Sequence, residues 1–166
     1  MNNQRIKQMT TLSLLIAFNI ALSYIVKIPV PATNGFVNLV EAGIFLAALG
    51  GGARSGLIVG GASGLLLDLL AGYPQWMIFS LVIHGLEGWL VGLIGAKKGY
   101  WQQAIALLIG ALVMIVGYVL AGAVLYNWAA GVASIPGNIA QNVMGVIVVL
   151  ILLPIVKRLP IVNGII

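Results

Sequence analysis

His84 and Glu87 stand one helical turn apart in "FSLVIHGLEGWLVGLIG", a run from Phe79 to Gly95 that is otherwise apolar. His84 is the chain's single histidine and Glu87 one of three acidic residues, with Glu41 and Asp68. An imidazole and a carboxylate at this spacing share one helix face and can bind a polar ligand, pair with each other, or carry protons. Metalloprotease chemistry of the His-x-x-Glu kind needs a second histidine, and there is none. Ser80, His84 and Asp68 hold the side chains of a hydrolase triad, but no nucleophile elbow surrounds the serine. The chain has no cysteine, which removes disulfides, thiolate metal sites and cysteine nucleophiles. No phosphate-binding Walker loop is present either. The residues therefore point to binding rather than catalysis, with no metal and no cofactor expected.

The elements that hold these residues are apolar. The sequence is 61% hydrophobic and 7% charged, with a mean hydropathy of +1.14. That is an integral membrane protein. A bilayer-crossing helix needs about 20 apolar residues, and six segments qualify: Met9–Val26, Val37–Gly51, Ser55–Ala71, Gln75–Gly95, Trp101–Tyr126 and Asn138–Val156. The predicted fold is one all-α six-helix membrane bundle. The basic start and apolar stretch at the N-terminus read as a retained first helix, since no small-x-small cleavage site follows. The net charge of +5 does not signal nucleic acid, because the basic residues are scattered between spans and form no face.

Orientation follows from those basic residues. With six crossings, Arg5, Lys7, Arg54, Lys97, Lys98, Lys157 and Arg158 share one side, and Lys27 alone lies on the other. The positive-inside rule then puts both termini in the cytoplasm. On that topology Asn38, Glu41 and Asp68 lie in the outer half and His84 and Glu87 near mid-depth. Tyr118 lies in the outer half, with Asn127 and Trp128 just beyond it. Asn138, Gln141 and Asn142 occupy the first turns of the last span. The inner halves carry almost nothing polar. Ionised groups at such depth cost about 2.5–3.5 kcal/mol each and so face a cavity or a partner. An outward cavity is expected, with Trp76, Trp89, Trp128, Tyr73 and Tyr118 available to stack on a planar ring. The plainer readings stay open: His84 and Glu87 as mutual structural glue, Asp68 as a helix bridge, Trp76 and Trp128 as interfacial belt.

Small residues recur at every fourth position: Gly56, Gly60 and Gly64; Gly88, Gly92 and Ala96; Ser13, Ala17 and Ala21. Such stripes let helix backbones approach closely. The glycine stripes are expected inside the bundle. The Ser13–Ala17–Ala21 stripe fits either an internal contact or a docking surface for a partner. No internal repeat is evident.

"AFNIA" (Ala17–Ala21) and the glycine-rich "GFVNLVEAGIFLAALGGGARSGLIVGGASGLLLDLLAGYPQW", with the six spans, carry a family likeness. Over nearly its full length the chain resembles the substrate-binding S components of energy-coupling factor (ECF) vitamin transporters. The resemblance implies a non-catalytic subunit of a bacterial plasma membrane that captures a vitamin from outside. It also implies partners: a transmembrane coupling subunit and two ATPase subunits. The implied pocket draws on His84, Glu87, Tyr118, Asn127, Trp128, Asn138, Gln141 and Asn142. A lid containing Pro31, Asn34 and Phe36 would close it, with Asn38 and Glu41 beside the lid. The branch it resembles includes members assigned to hydroxymethylpyrimidine or vitamin B6. The rival reading is an autonomous proton-coupled secondary transporter using Glu41, Asp68 or Glu87.

Overall fold

A computed structural model describes residues 3–30 and 35–156. Helix α1 spans Asn3–Ile25, and a small antiparallel ribbon follows, β1 (Ile28–Val30) and β2 (Gly35–Val37). Then come α2 (Val40–Ala71), α3 (Met77–Gly95), α4 (Tyr100–Leu125), the short α5 (Trp128–Ala133) and α6 (Ile135–Val156). Among the described residues, five stretches are long and apolar enough to cross a membrane: α1, α2, α3, α4, and α5 with α6 together.

Helix α2 is bent back on itself. At Gly52 the backbone has φ 83° and ψ −176°, a region open essentially to glycine alone. The amide Nδ2 of Asn19 donates to Val40 O at 3.0 Å and to Ser63 Oγ at 3.2 Å. In a straight helix those two residues would lie roughly 34 Å apart. One side chain reaches both because the arms before and after Gly52 run antiparallel. The two spans expected on either side of this point are those two arms.

The fold is all-α, as expected, apart from a small ribbon in which residues 28–30 and 35–37 pair in register Ile28↔Val37 and Pro29↔Phe36. β-Branched and aromatic residues suit that ribbon, but three-residue strands leave no readable periodicity. Helix α1 begins at Asn3, since Gln and Arg continue a helix beyond the apolar stretch. Helix α6 begins at Ile135, with Pro136 in the first turn, where its missing N–H costs nothing. Pro31 and Asn34 of the expected lid, and Lys157 and Arg158, lie outside the described residues.

Helices in lipid gain little from water release, so close van der Waals fit holds them together. The second arm of α2 and α3 achieve it through glycine. A Cβ on Gly56 would sit 2.1 Å from Gly88 O, and one on Gly60 would sit 2.1 Å from His84 O. The glycine stripes are thus internal packing, as the spacing predicted. They also press the His84 turn of α3 against α2. One apolar cluster, including Ile44, Phe45, Leu49, Val91 and Val149, fills the bundle. A second, with Trp76, Ile83, Met114 and Ala121, lies toward the end that carries the ribbon.

Candidate functional site

A cavity of about 60 Å³ opens at the ribbon end of the bundle. Its wall is assembled from every surrounding element: Phe36 and Asn38 beside the ribbon, Val40, Gly64, Leu67 and Asp68 from α2, Trp76, Ser80 and His84 at and along α3, Met114 and Tyr118 from α4, and Ser134, Asn138 and Gln141 around the start of α6. The basic residues Arg5 and Arg54 line a separate groove at the opposite end.

A hydrogen-bonded chain runs along the wall and behind it. Ser80 Oγ lies 2.6 Å from Tyr118 Oη, which lies 2.9 Å from His84 Nε2. The other ring nitrogen, Nδ1, lies 3.0 Å from Glu87 Oε2 and 3.4 Å from Glu41 Oε1. Both carboxylates are fully buried, and His84 is 3% exposed. A Cβ on Gly64 would meet His84 Cδ2 at 2.7 Å, so glycine there leaves the imidazole its place. At the cavity mouth, Gln141 Oε1 accepts from Asn38 N at 2.9 Å, and Asn38 Oδ1 accepts from Val40 N at 2.6 Å. These bonds tie the start of α2 to α6.

Two polar atoms of cavity-lining residues are buried without a hydrogen-bond partner among the described residues: Asp68 Oδ2 and Trp76 Nε1. One accepts and the other donates. Buried polar groups are nearly always satisfied, so an unpaired acceptor and donor on residues of one cavity wall are unusual.

The structure brings together Asn38, His84, Tyr118, Asn138, Gln141 and Phe36 on one cavity. Glu41 and Glu87 stand behind His84 rather than on the wall. Asn142 turns inward, donating to Met114 Sδ at 2.7 Å and Asn138 O at 3.0 Å. Asn127 is exposed and caps α5, its Oδ1 accepting from Ala130 N at 3.0 Å. Trp128 is 65% exposed and Trp89 39% exposed, whereas Trp76 is buried against Tyr118 with ring centroids 5.8 Å apart. Sequence reasoning left Asp68, Ser134 and Met114 out of the candidate site. Asp68 did carry a signal, an acid within an apolar span; the other two carried none.

Lys27 anchors the ribbon. Lys27 Nζ sits 4.6 Å from the Phe36 ring centroid, 5.2 Å from that of Tyr73 and 5.7 Å from that of Tyr24. It also lies 3.5 Å from Ala71 O. On α1, Ser13, Ala17 and Ala21 are all exposed, while Asn19 and Ser23 face the bundle.

Comparison with known proteins agrees with this architecture. Residues 3–158 match the model of the family described as ECF-type riboflavin transporter, S component. The thiamine precursor transporter HmpT of Lactococcus lactis subsp. cremoris (strain MG1363) is 36% identical over 165 residues, 99% of this chain and 96% of the relative. An uncharacterised protein of Pyrococcus woesei is 37% identical over 125 residues, 75% of this chain and 84% of its own. A solved S component of a bacterial ECF transporter superposes with a TM-score of 0.72 at 22% identity, covering 94% of this chain and 99% of that one. The S component for biotin from an ECF-type ABC transporter gives 0.68 at 21% identity, covering 95% of each.

Proposed function

Since the chain belongs to the S components of ECF transporters, a family of substrate-binding subunits and not enzymes, we propose that its cargo is a thiamine precursor of the hydroxymethylpyrimidine class. The family description names riboflavin, while the relative matched over almost the whole chain names a thiamine precursor. The near-full-length match to the thiamine precursor transporter supports the precursor. None of the relatives described above names vitamin B6.

The observation that carries the reading is the pair of unbonded atoms, Asp68 Oδ2 and Trp76 Nε1. An aminopyrimidine offers ring nitrogens as acceptors and an amino group as donor. A hydroxymethyl arm adds a group that can do both. Trp76 Nε1–H can donate to a ring nitrogen, and the Asp68 carboxylate can accept from the amino or hydroxyl group. Tyr118 and Trp76 supply aromatic surface for the ring. Asn38, His84, Asn138 and Gln141 complete the polar wall. Glu41, Glu87 and Asn142 support that wall from behind, and Phe36 closes it with the ribbon as lid.

The chain is a multi-pass membrane protein whose partner is an ECF module. Within this reading it crosses six times, counting both arms of α2, with both termini on the cytoplasmic side of a bacterial plasma membrane. The basic residues at the end opposite the cavity support that orientation. The cavity then faces outward. A transmembrane coupling subunit and two ATPase subunits drive uptake, rather than protons on Glu41, Asp68 or Glu87. The exposed Ser13–Ala17–Ala21 stripe is the docking face.

Calorimetry on the purified chain tests the cargo, with 4-amino-5-hydroxymethyl-2-methylpyrimidine, riboflavin and biotin compared side by side. The pyrimidine should bind more tightly than either of the others by orders of magnitude. Tighter binding of riboflavin would overturn the assignment.

A further inference from the structure

We propose that Glu41, His84 and Glu87 form a buried site for one divalent cation of the first transition series, in the manganese-to-zinc range. The site lies behind the cavity wall, where only His84 reaches the cargo space, and it is independent of which vitamin binds.

Fold topology assembles it. Glu41 opens the first arm of α2, and His84 and Glu87 stand one turn apart on α3. The glycine contacts that draw α3 onto α2 bring a donor atom of each residue within 4.8 Å of the others. Four-coordinate ions bind imidazole nitrogen and carboxylate oxygen at about 2.0–2.2 Å, which spaces neighbouring donors roughly 3.4 Å apart. The two separations from His84 Nδ1 are 3.0 and 3.4 Å. Small side-chain movements would close all three atoms on one ion.

Hydrogen-bond accounting points the same way. Nδ1 carries at most one hydrogen, and Glu87 Oε2 at 3.0 Å takes it. Oε1 of Glu87 then has no hydrogen-bond partner among the described residues, and the Glu41 carboxyl group has little beyond Gln141 to bond, although both residues are 0% exposed. Carboxylates so poorly met around one imidazole are unusual. Two carboxylates and a neutral imidazole also carry two negative charges at membrane depth, where charge is costly. A divalent cation neutralises both charges and meets the acceptors.

The donor set and its surroundings narrow the ion. One imidazole and two carboxylates, with no thiolate, suit borderline ions of the Mn-to-Zn series rather than soft copper(I). The far nitrogen of His84 meets Tyr118 Oη at 2.9 Å, and Tyr118 meets Ser80 at 2.6 Å. Outer partners of this kind orient a metal-bound histidine.

The test uses the full chain in detergent with a non-histidine affinity tag and no vitamin. Titration with Co²⁺ should saturate at one equivalent and develop visible absorption bands. Pulsed electron paramagnetic resonance on the Cu²⁺-loaded chain should show one coordinated imidazole. Since the sequence has a single histidine, that signal identifies His84 without any substitution. Glu41→Gln and Glu87→Gln should each weaken Co²⁺ binding by more than about 100-fold, and Tyr118→Phe by about 10-fold, within the range expected for an outer partner. Absence of saturable Co²⁺ binding in the folded chain, bound Cu²⁺ without imidazole coupling, or unchanged affinity in both glutamine variants would each overturn the site. Because no vitamin enters the measurement, such a result would leave the cargo assignment standing.

Discussion

Tyr118 Oη lies 2.9 Å from His84 Nε2, joining α4 to the turn of α3 that glycine presses against α2. The same hydroxyl lies 2.6 Å from Ser80 Oγ. Whichever way its proton points, this one atom satisfies two neighbours at once. Tyr118→Phe removes it and leaves both short of a partner in a dry setting. The loss should be about 1–3 kcal/mol. Thermal unfolding in detergent reads it directly, and a melting temperature equal to that of the parent chain would show that the link carries no stability.

Trp76 should behave in the opposite way. Its Nε1 bonds nothing among the described residues, so Trp76→Phe removes no internal hydrogen bond. Stability should change little, while cargo affinity falls about five- to tenfold, the value of one neutral hydrogen bond of about 1–1.5 kcal/mol. Asp68→Asn should cost affinity more, since a bond to a charged acceptor contributes about 1.5–3 kcal/mol. Calorimetry paired with thermal melts separates the two effects. A Trp76→Phe chain that binds as tightly as its parent would remove Nε1 from recognition.

These contrasts show what could be read from the sequence. His84 and Glu87 announced themselves because ionisable groups among apolar neighbours need a reason to be there. Glu41 stood out for the same reason, but its meeting with His84 depends on α2 reversing at Gly52. Three successive glycines, Gly50, Gly51 and Gly52, do not say which one takes the left-handed turn. Trp76 and Trp128 looked alike, yet one lines the cavity and the other is exposed. A helix with lipid on one face and apolar core on the other shows little hydropathy contrast, so facing is poorly encoded. Asn127 illustrates a different limit. Its spacing to α5 is that of a helix cap, and a cap is what the structure makes of it.

Gly60 and Gly52 separate two reasons for glycine. A Cβ on Gly60 would lie 2.1 Å from His84 O, whereas one on Gly52 would meet nothing within 4 Å. Gly60→Ala must push α3 away from α2, costing about 1–3 kcal/mol by overpacking, and it should weaken cargo binding by displacing His84. Gly52→Ala costs a similar amount through backbone strain alone. Its cargo affinity, measured in the folded fraction, should stay close to that of the parent. Equal damage to affinity in both variants would contradict this division.

Lys27 tests the lid. Its ammonium lies among the rings of Tyr24, Phe36 and Tyr73, and Phe36 lines the cavity. Lys27→Met keeps most of the stem and removes the charge. Each partly exposed cation–π contact contributes about 0.5–1 kcal/mol. The variant should release cargo roughly fivefold faster with little change in association rate, as stopped-flow tryptophan fluorescence can follow. An unchanged release rate would free the ribbon of any closing role.

The exposed small-residue stripe of α1 yields the sharpest separation of outcomes. Only 11% of the apolar window of α1 is buried, the lowest share of any spanning helix here. Asn19 fastens the inward face to Val40 and Ser63, leaving Ser13, Ala17 and Ala21 exposed on the other. Small residues at that spacing leave a shallow channel into which another helix backbone can settle. Tryptophan in place of Ala17 or Ala21 would fill the channel without touching the cavity wall. Cargo binding by the isolated chain should therefore stay within about twofold, a shift of roughly 0.4 kcal/mol. Co-purification with the coupling module and ATP-driven uptake should both collapse. Loss of cargo binding or of folding would place the stripe inside the bundle instead. Normal assembly with tryptophan present would move the docking face elsewhere on the helix.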